Sequence, residues 1–301
     1  MSRLTKALPQ FGHALRLLLH GSSPSKVPES DCQPATVDQE IDRTDQNLVI
    51  EEPGDTQSVY FFSHHKCATG WLSNVLVEIS NELKISLYNT SQSDDYLFDS
   101  AIFNNVNASY PLLPSEFEKG IHVVRDVRDL VVSAYYSHLH SHPTDNWPEL
   151  QAHRKLLERL PKDAGMIAEI GFLESVFHEG HACSPLQAML DWNYEDPRIM
   201  NIRMEDMVRE PYRVIIQSLR FLDLPCPQNL AEILGNFTFE KISGGRKPGD
   251  LDKNSHYRSG VAGDWKTELP EAASLYLTEK YSPMLKQMGY SVDQALSRDV
   301  A

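Results

Sequence analysis

Short apolar runs alternate with longer amphipathic stretches along most of this chain, and their spacing defines its elements. Val59-Tyr60-Phe61-Phe62 is a β-branched and aromatic run of strand length, so residues 58–63 read as a buried strand. A loop of small residues follows, and then Trp71, Leu72, Val75, Leu76 and Ile79 recur at helical spacing, predicting a helix from residue 68. The same grammar returns as a short strand near 84–88, a strand over 120–125 with a helix from 129, and a strand over 198–203. Helices are expected near 207–222 and 270–288. Alternation of this kind predicts an α/β fold with a central parallel sheet flanked by helices. In such sheets ligands bind beyond the carboxyl ends of the strands.

Two regions break the alternation. Residues 21–57 are rich in Ser, Pro, Asp, Glu and Gln and read as a flexible linker. Ahead of it, residues 1–20 carry Arg3, Lys6 and Arg16 among Leu4, Leu8, Phe11, Leu15, Leu17, Leu18 and Leu19, with no acid. This amphipathic segment suits peripheral membrane contact, an organelle-targeting role, or a short helix packed on the domain; Pro9 weakens a long helix. The domain itself is placed at 58–290. Within it, residues 138–196 form a helical insertion in which Trp147-Pro148-Glu149 opens a helical pattern through Leu160.

Composition narrows the function classes. The formal charge of −14 argues against nucleic acid as a partner, because polyanions reward a basic surface. A local pocket of Lys66, Arg125 and Arg258 still suits an anionic small molecule. Cys32, Cys67, Cys183 and Cys226 fit no zinc spacing and are too few for a disulfide-built fold, which points to a reducing, cytoplasmic compartment.

The chemistry concentrates at two strand ends. After the first strand comes His64-His65-Lys66-Cys67-Ala68-Thr69-Gly70-Trp71. A strand, a small-residue loop with one Lys and a helix start together hold a phosphate-like anion: unpaired N–H groups and the helix dipole face it, and the Lys adds a full charge. The order is not that of a nucleoside-triphosphatase loop, which needs Gly-Lys-Ser/Thr. After the fourth predicted segment, Val123-Val124-Arg125-Asp126-Val127-Arg128-Asp129 leads into a helix containing Ser133. Near the end stands Tyr257-Arg258-Ser259-Gly260-Val261-Ala262-Gly263-Asp264-Trp265-Lys266, and between them Arg203-Met204-Glu205-Asp206-Met207.

These four ordered segments, spanning 57 to 290, resemble the sulfotransferases that use 3′-phosphoadenosine 5′-phosphosulfate (PAPS) and have a P-loop-like fold. The resemblance implies a PAPS-dependent transferase acting on a hydroxyl or amine of a small-molecule, glycan or lipid acceptor, with no metal. Lys66 would be the catalytic residue, neutralising the leaving oxygen with help from Thr69, Gly70 and Trp71. Cys67 and Ala68 would complete the loop, although Cys67-Ala68-Thr69-Gly70 stands where the family has Ser-Gly-Thr-Thr. Arg125, Ser133 and Arg258, with Ser259 and Gly260, would take the 3′-phosphate, and Trp71 and Phe239 would contact adenine. The alternatives are a non-catalytic nucleotide-binding module of the same fold or a nucleotide kinase.

Beside these readings stand plainer ones. Arg125, Asp126, Arg128 and Asp129 alone would read as a surface ion-pair cluster. Cys67, next to Lys66 and a helix start, is expected to have a depressed thiol pKa, but the position asks mainly for a small side chain and an N–H. The family's usual catalytic His is replaced by Asn107, leaving His65, Asp94, Asp95 and His140 as base candidates, with His122 structural. His138, His140 and His142 at alternate positions suggest a metal site, yet that spacing suits no single helix face, so solvated or acceptor-contacting rings are expected. Finally, Gly244 to Lys266 is dense in Gly and Lys/Arg and reads as a basic lid anchored by Trp265.

Overall fold

In the computed structural model of the chain, residues 58–90, 102–113, 117–175 and 184–292 are described. The expectations for 1–20 and 21–57, and the base candidates Asp94 and Asp95, lie outside the described residues, as do Cys32 and Cys183.

Among the described residues, five strands form one all-parallel sheet: β1 (Val59–Ser63), β2 (Leu87–Thr90), β3 (Ile102–Val106), β4 (Lys119–Val124) and β5 (Ile199–Arg203), in the order β2-β3-β1-β4-β5. β1 is central and every one of its residues is buried. Its two-residue period divides the core: Val59 and Phe61 join the larger apolar cluster with Leu72, Val75, Leu76 and Ile79, while Tyr60 and Phe62 join Phe103, Phe117 and Trp192 on the other face. Burying each such side chain contributes about 1.5–3 kcal/mol against the cost of ordering the chain. Because β4 neighbours β1 with Ser63 paired to Val123, the loops leaving the two strands emerge side by side.

Helices follow as α1 (Thr69–Leu83), α2 (Val127–Tyr136), α3 (Pro148–Leu157), α4 (Lys162–Ser175), α5 (Pro185–Leu190), α6 (Met204–Arg209), α7 (Pro211–Phe221), α8 (Leu230–Asn236), α9 (Phe239–Ile242), α10 (Trp265–Glu268), α11 (Glu271–Lys280) and α12 (Ser282–Gln287). α2 runs directly into a π-helical turn over Ser137–Ser141. No described helix is long and apolar enough to cross a membrane.

The differences from expectation have local causes. β3 was hidden by Asn104 and Asn105, both buried; Asn104 Nδ2 donates to Ser73 Oγ and Asn89 Oδ1 at 2.8 Å each, so polar pairing replaces the alternation that marks a strand. β2 begins at Leu87, later than the run near 84–88 suggests. The expected helix over 207–222 is two helices parted before Pro211, and that over 270–288 is two parted at Tyr281, ahead of Pro283, as proline at a first turn dictates.

Candidate functional site

The β1–α1 loop has a backbone that could hold an anion. Lys66 and Ala68 both lie in the left-handed region, with φ of 65° and 57°. Alternating backbone of this kind turns successive N–H groups toward one concavity. Ala68 caps α1 without any side-chain hydrogen bond, and Leu72 N donating to Ala68 O at 2.9 Å is the first helical bond, so the N–H groups of the first turn have no intrahelical acceptor. Gly70 is exposed in that turn with open space where a Cβ would stand. Burial, reinforced by the charges of Arg125 and Arg258, brings the half-buried Lys66 ammonium down to about 8. Cys67 corrects the expectation of a depressed thiol: it is fully buried, its Sγ 3.8 Å from His65 O, and burial pushes its pKa up to about 12 despite the Arg125 charge. An inert small residue fits that environment.

At the β4–α2 junction the four charged residues are buried, not a surface cluster. Arg128 forks onto Asp126 (Nε to Oδ1 2.9 Å, Nη2 to Oδ2 2.7 Å), stacks over Trp265 at 3.9 Å, and donates to Ser291 O at 2.9 Å. Asp129 accepts from the N–H groups of Gly263 (2.6 Å) and Trp265 (3.0 Å), and burial raises its pKa. These pairings fix the C-terminal loop and leave Arg125 for other work. Arg125 Nη1 donates to Lys66 O at 3.1 Å, while its buried Nε has no partner among the described residues. An orphaned buried guanidinium donor calls for an acceptor from outside the chain. Ser133 lies half-buried in α2, one turn before Tyr136.

The C-terminal loop reaches the same place. Arg258 is buried, pairs with Asp264 and lies over the Tyr136 ring at 5.2 Å; Ser259 Oγ donates to Asp264 Oδ2 at 3.0 Å. Gly260, at φ 66°, packs so closely on the Phe239 ring that a Cβ there would overlap it. Trp71 Nε1 donates to Phe237 O at 2.8 Å, which fixes the indole beside α9. Trp265 is buried, as an anchor should be. The loop is held by hydrogen bonds where apolar packing is thin: Arg246 donates to Asp250 O and Arg258 O at 3.0 Å each, to Ser255 Oγ at 2.8 Å and to Tyr257 O.

Two histidine networks flank the loop. His64 Nε2 meets His122 Nε2 at 2.7 Å, and His122 Nδ1 meets Asn201 Oδ1 at 2.8 Å; both rings are fully buried, and burial takes His64 down to about 3. His65 Nε2 meets His138 Nε2 at 2.9 Å, His138 Nδ1 meets Glu169 Oε1 at 2.7 Å, and Glu169 Oε2 meets His153 Nε2 at 2.8 Å. Burial alone would raise the Glu169 carboxyl, but the two facing rings outweigh it and hold the pKa at about 2. His138 is therefore buried and carboxylate-bound, not solvated as expected; His140 points outward and is exposed.

A model of the sulfotransferase domain matches residues 104–289. The chain belongs to the sulfotransferase domain family. Among solved structures it is similar to the mouse sulfotransferase SULT7A1 complexed with PAP, at 17% identity and a TM-score of 0.53, covering 81% of this chain and 90% of that one. It is also similar to retinol dehydratase in complex with androsterone and inactive cofactor PAP, at 13% identity and a TM-score of 0.45, covering 77% and 82%. Comparison with curated protein sequences finds no match. The likeness to SULT7A1 is one of fold, the parallel sheet flanked by helices expected from the sequence.

Within this sulfotransferase domain, contacts run from motif to motif: Lys66 to Arg125, Trp71 to Phe237, Phe239 to Gly260, and Arg258 to Tyr136. The matched region begins after the Lys66 loop, where the sequence departs from the family pattern. Sequence reasoning missed Arg246, Asp264, Glu169 and His153. An Arg six residues after Thr-Phe-Glu, or an acid one helix away from a His run, gives no local signal.

Proposed function

We propose that this family member moves a sulfuryl group from PAPS to a hydroxyl or amine of a small-molecule, glycan or lipid acceptor by in-line displacement. The observation that carries the reading is the gathering of Lys66 and Arg125, at adjacent strand ends, with Arg258 from the C-terminal loop, their mutual repulsion felt at Lys66 and a buried Arg125 donor left over. Like charges held together in a partly desolvated pocket are unfavourable unless an anion is to share them.

PAPS, when bound, supplies the activated sulfuryl group. Lys66 and the N–H groups of Thr69, Gly70 and Trp71 would neutralise charge at the leaving oxygen; positioning and electrostatics supply most of the acceleration in such transfers. Cys67 contributes size and backbone rather than a nucleophile. Arg125 and Arg258 suit a phosphate through their forked donors, with the Ser133 hydroxyl completing the set. Trp71, its ring plane fixed by Phe237 O, and Phe239, seated on Gly260, offer flat faces to a base. Of the base candidates within the described residues, His140 is exposed and His65 is turned onto His138.

The test has two arms. Saturating desulfated nucleotide should raise the melting temperature without added metal or ATP, by mass action. Transfer of radiolabelled sulfate from PAPS to a panel of acceptors should then be detectable and fall on the order of 100-fold or more in Lys66→Ala. A folded Lys66→Ala protein with near-normal turnover would refute the assignment. Nucleotide binding with no transfer to any acceptor would favour a non-catalytic module.

A further inference from the structure

His65, His138 and His142 come from two distant parts of the chain, and one ring nitrogen of each lies within 4.8 Å of the others. Their ring centroids stand 5.0, 5.2 and 5.5 Å apart. The outward nitrogens of two rings are already committed. His138 Nδ1 is 2.7 Å from Glu169 Oε1, and His142 Nδ1 is 2.8 Å from the Pro143 carbonyl oxygen. Those oxygens only accept, so both rings carry a proton on Nδ1 and, when neutral, offer a lone pair on Nε2. A carboxylate behind an imidazole is the arrangement that orients metal-ligating histidines and strengthens them as donors. Trp147 stands edge-on to all three rings, at interplanar angles of 85°, 80° and 77° to His65, His138 and His142, and closes one side with an apolar wall. His65 and His142 are half-exposed, which leaves a way in.

We propose that these three residues bind one divalent transition-metal ion of the zinc type. Three neutral imidazoles and no hard oxygen ligand select zinc, cobalt, nickel or copper over magnesium or calcium. Three protein ligands also leave a fourth position for water or another oxygen ligand, as in open zinc sites. His65 Nε2 and His138 Nε2, 2.9 Å apart, share a proton in the metal-free protein. Two ligands of a tetrahedral zinc stand about 3.3 Å apart, so the rings must part by only a few tenths of an ångström while that proton moves from Nε2 to Nδ1 of His65. The π-helical turn over Ser137–Ser141 makes the site: it carries His138 and His142 to the pocket side while His140 faces out. Arg154 braces the turn by donating to the carbonyl oxygens of both His138 and His142.

The ion would sit beside Lys66, which follows His65 in the chain. If the PAPS reading holds, anionic nucleotide and metal should each tighten the other's binding by the same factor. The metal site itself does not depend on that reading, so it is tested without nucleotide. The full chain, stripped by chelator, is titrated with Co²⁺ and then with Zn²⁺ in competition. One equivalent should bind with the intense visible bands of four-coordinate cobalt. His142→Ala should abolish the bands, Glu169→Gln should weaken binding about 10–100-fold, and His140→Ala should change nothing. Melting curves identify any variant that fails to fold; half-exposed His142 keeps the test decisive if Glu169→Gln does. Weak, six-coordinate binding that His142→Ala leaves unaltered, or equal losses in His140→Ala and His142→Ala, would overturn the proposal.

Discussion

His64 and His65 are adjacent in the chain, and each meets a second histidine through Nε2, yet the two pairs are different devices. The His64–His122 pair is sealed: Trp192 stacks on His122 at 3.7 Å, and the partner behind the ring is the Asn201 amide, itself oriented by donating to Tyr194 O at 3.0 Å. A neutral amide and an aromatic wall favour neutral imidazoles, and the pair works as a polar strut in the core. Behind His138 stands the Glu169 carboxylate, a third ring joins from His142, and the pocket side is open. The side chain alone does not set the role. The group behind the ring and the access in front of it do.

The largest expected effect is on stability. His122→Ala removes a buried ring and strands the His64 donor, so it should cost about 3–5 kcal/mol in urea unfolding, whereas half-exposed His65→Ala should cost under about 1 kcal/mol. Equal costs would erase the distinction.

Acid should separate the pairs next. His64 is neutral in the folded state down to about pH 3, while the unfolded chain takes up that proton near 6.5. The unfolded state then binds more protons, so stability falls as pH drops, by roughly 3 kcal/mol between pH 6.5 and 4. The Glu169 carboxylate, held at about 2 against an ordinary 4.5, adds its loss only below pH 4.5. His122, buried and held well below its ordinary value, and His142, held at about 4, share that window, so His64→Gln should shrink the fall in the upper part of a stability-versus-pH profile without abolishing it, and leave the lower part unchanged.

On the open side, Lys66 loses its proton near pH 8 in the free protein. Affinity for desulfated nucleotide should fall up to about tenfold per pH unit above that point, with a proton taken up on binding, and Lys66→Arg should level the profile in calorimetric titrations. Smallest is Ala68→Gly. It relieves a left-handed alanine at φ 57° and should stabilise by about 1 kcal/mol in thermal melts, an effect with no counterpart at the sealed pair.

The strand–loop–helix half of the molecule was readable because its signals are local: an apolar strand, a short loop with Lys66 or Arg125, and a helix start. β1, β4 and α1 stand within a residue or two of their expected bounds for the same reason. β3 was not, since Asn104 and Asn105 are polar in sequence yet buried, and Asn104 finds its partners in space. The histidine site was illegible too, because a π-helical turn defeats spacing arguments made for an α-helix and because His65 arrives from over 70 positions away. Cys67 failed differently: neighbouring charge was weighed correctly in sign, and burial outweighed it.

The pairing of Arg258 with Asp264 has a consequence for selectivity. A carboxylate tethered six residues away presents itself to that guanidinium at an effective concentration no dissolved anion matches. Free chloride or inorganic sulfate therefore meets a seat already taken. Only a ligand fastened elsewhere in the pocket at the same time can bring its own oxyanion at a comparable effective concentration and make Asp264 yield or share. On the PAPS reading proposed above, the arginine would thus answer to the second point of attachment of a bidentate guest and stay silent to single ions, so crowding by salt should weaken this contact less than an exposed arginine would suffer.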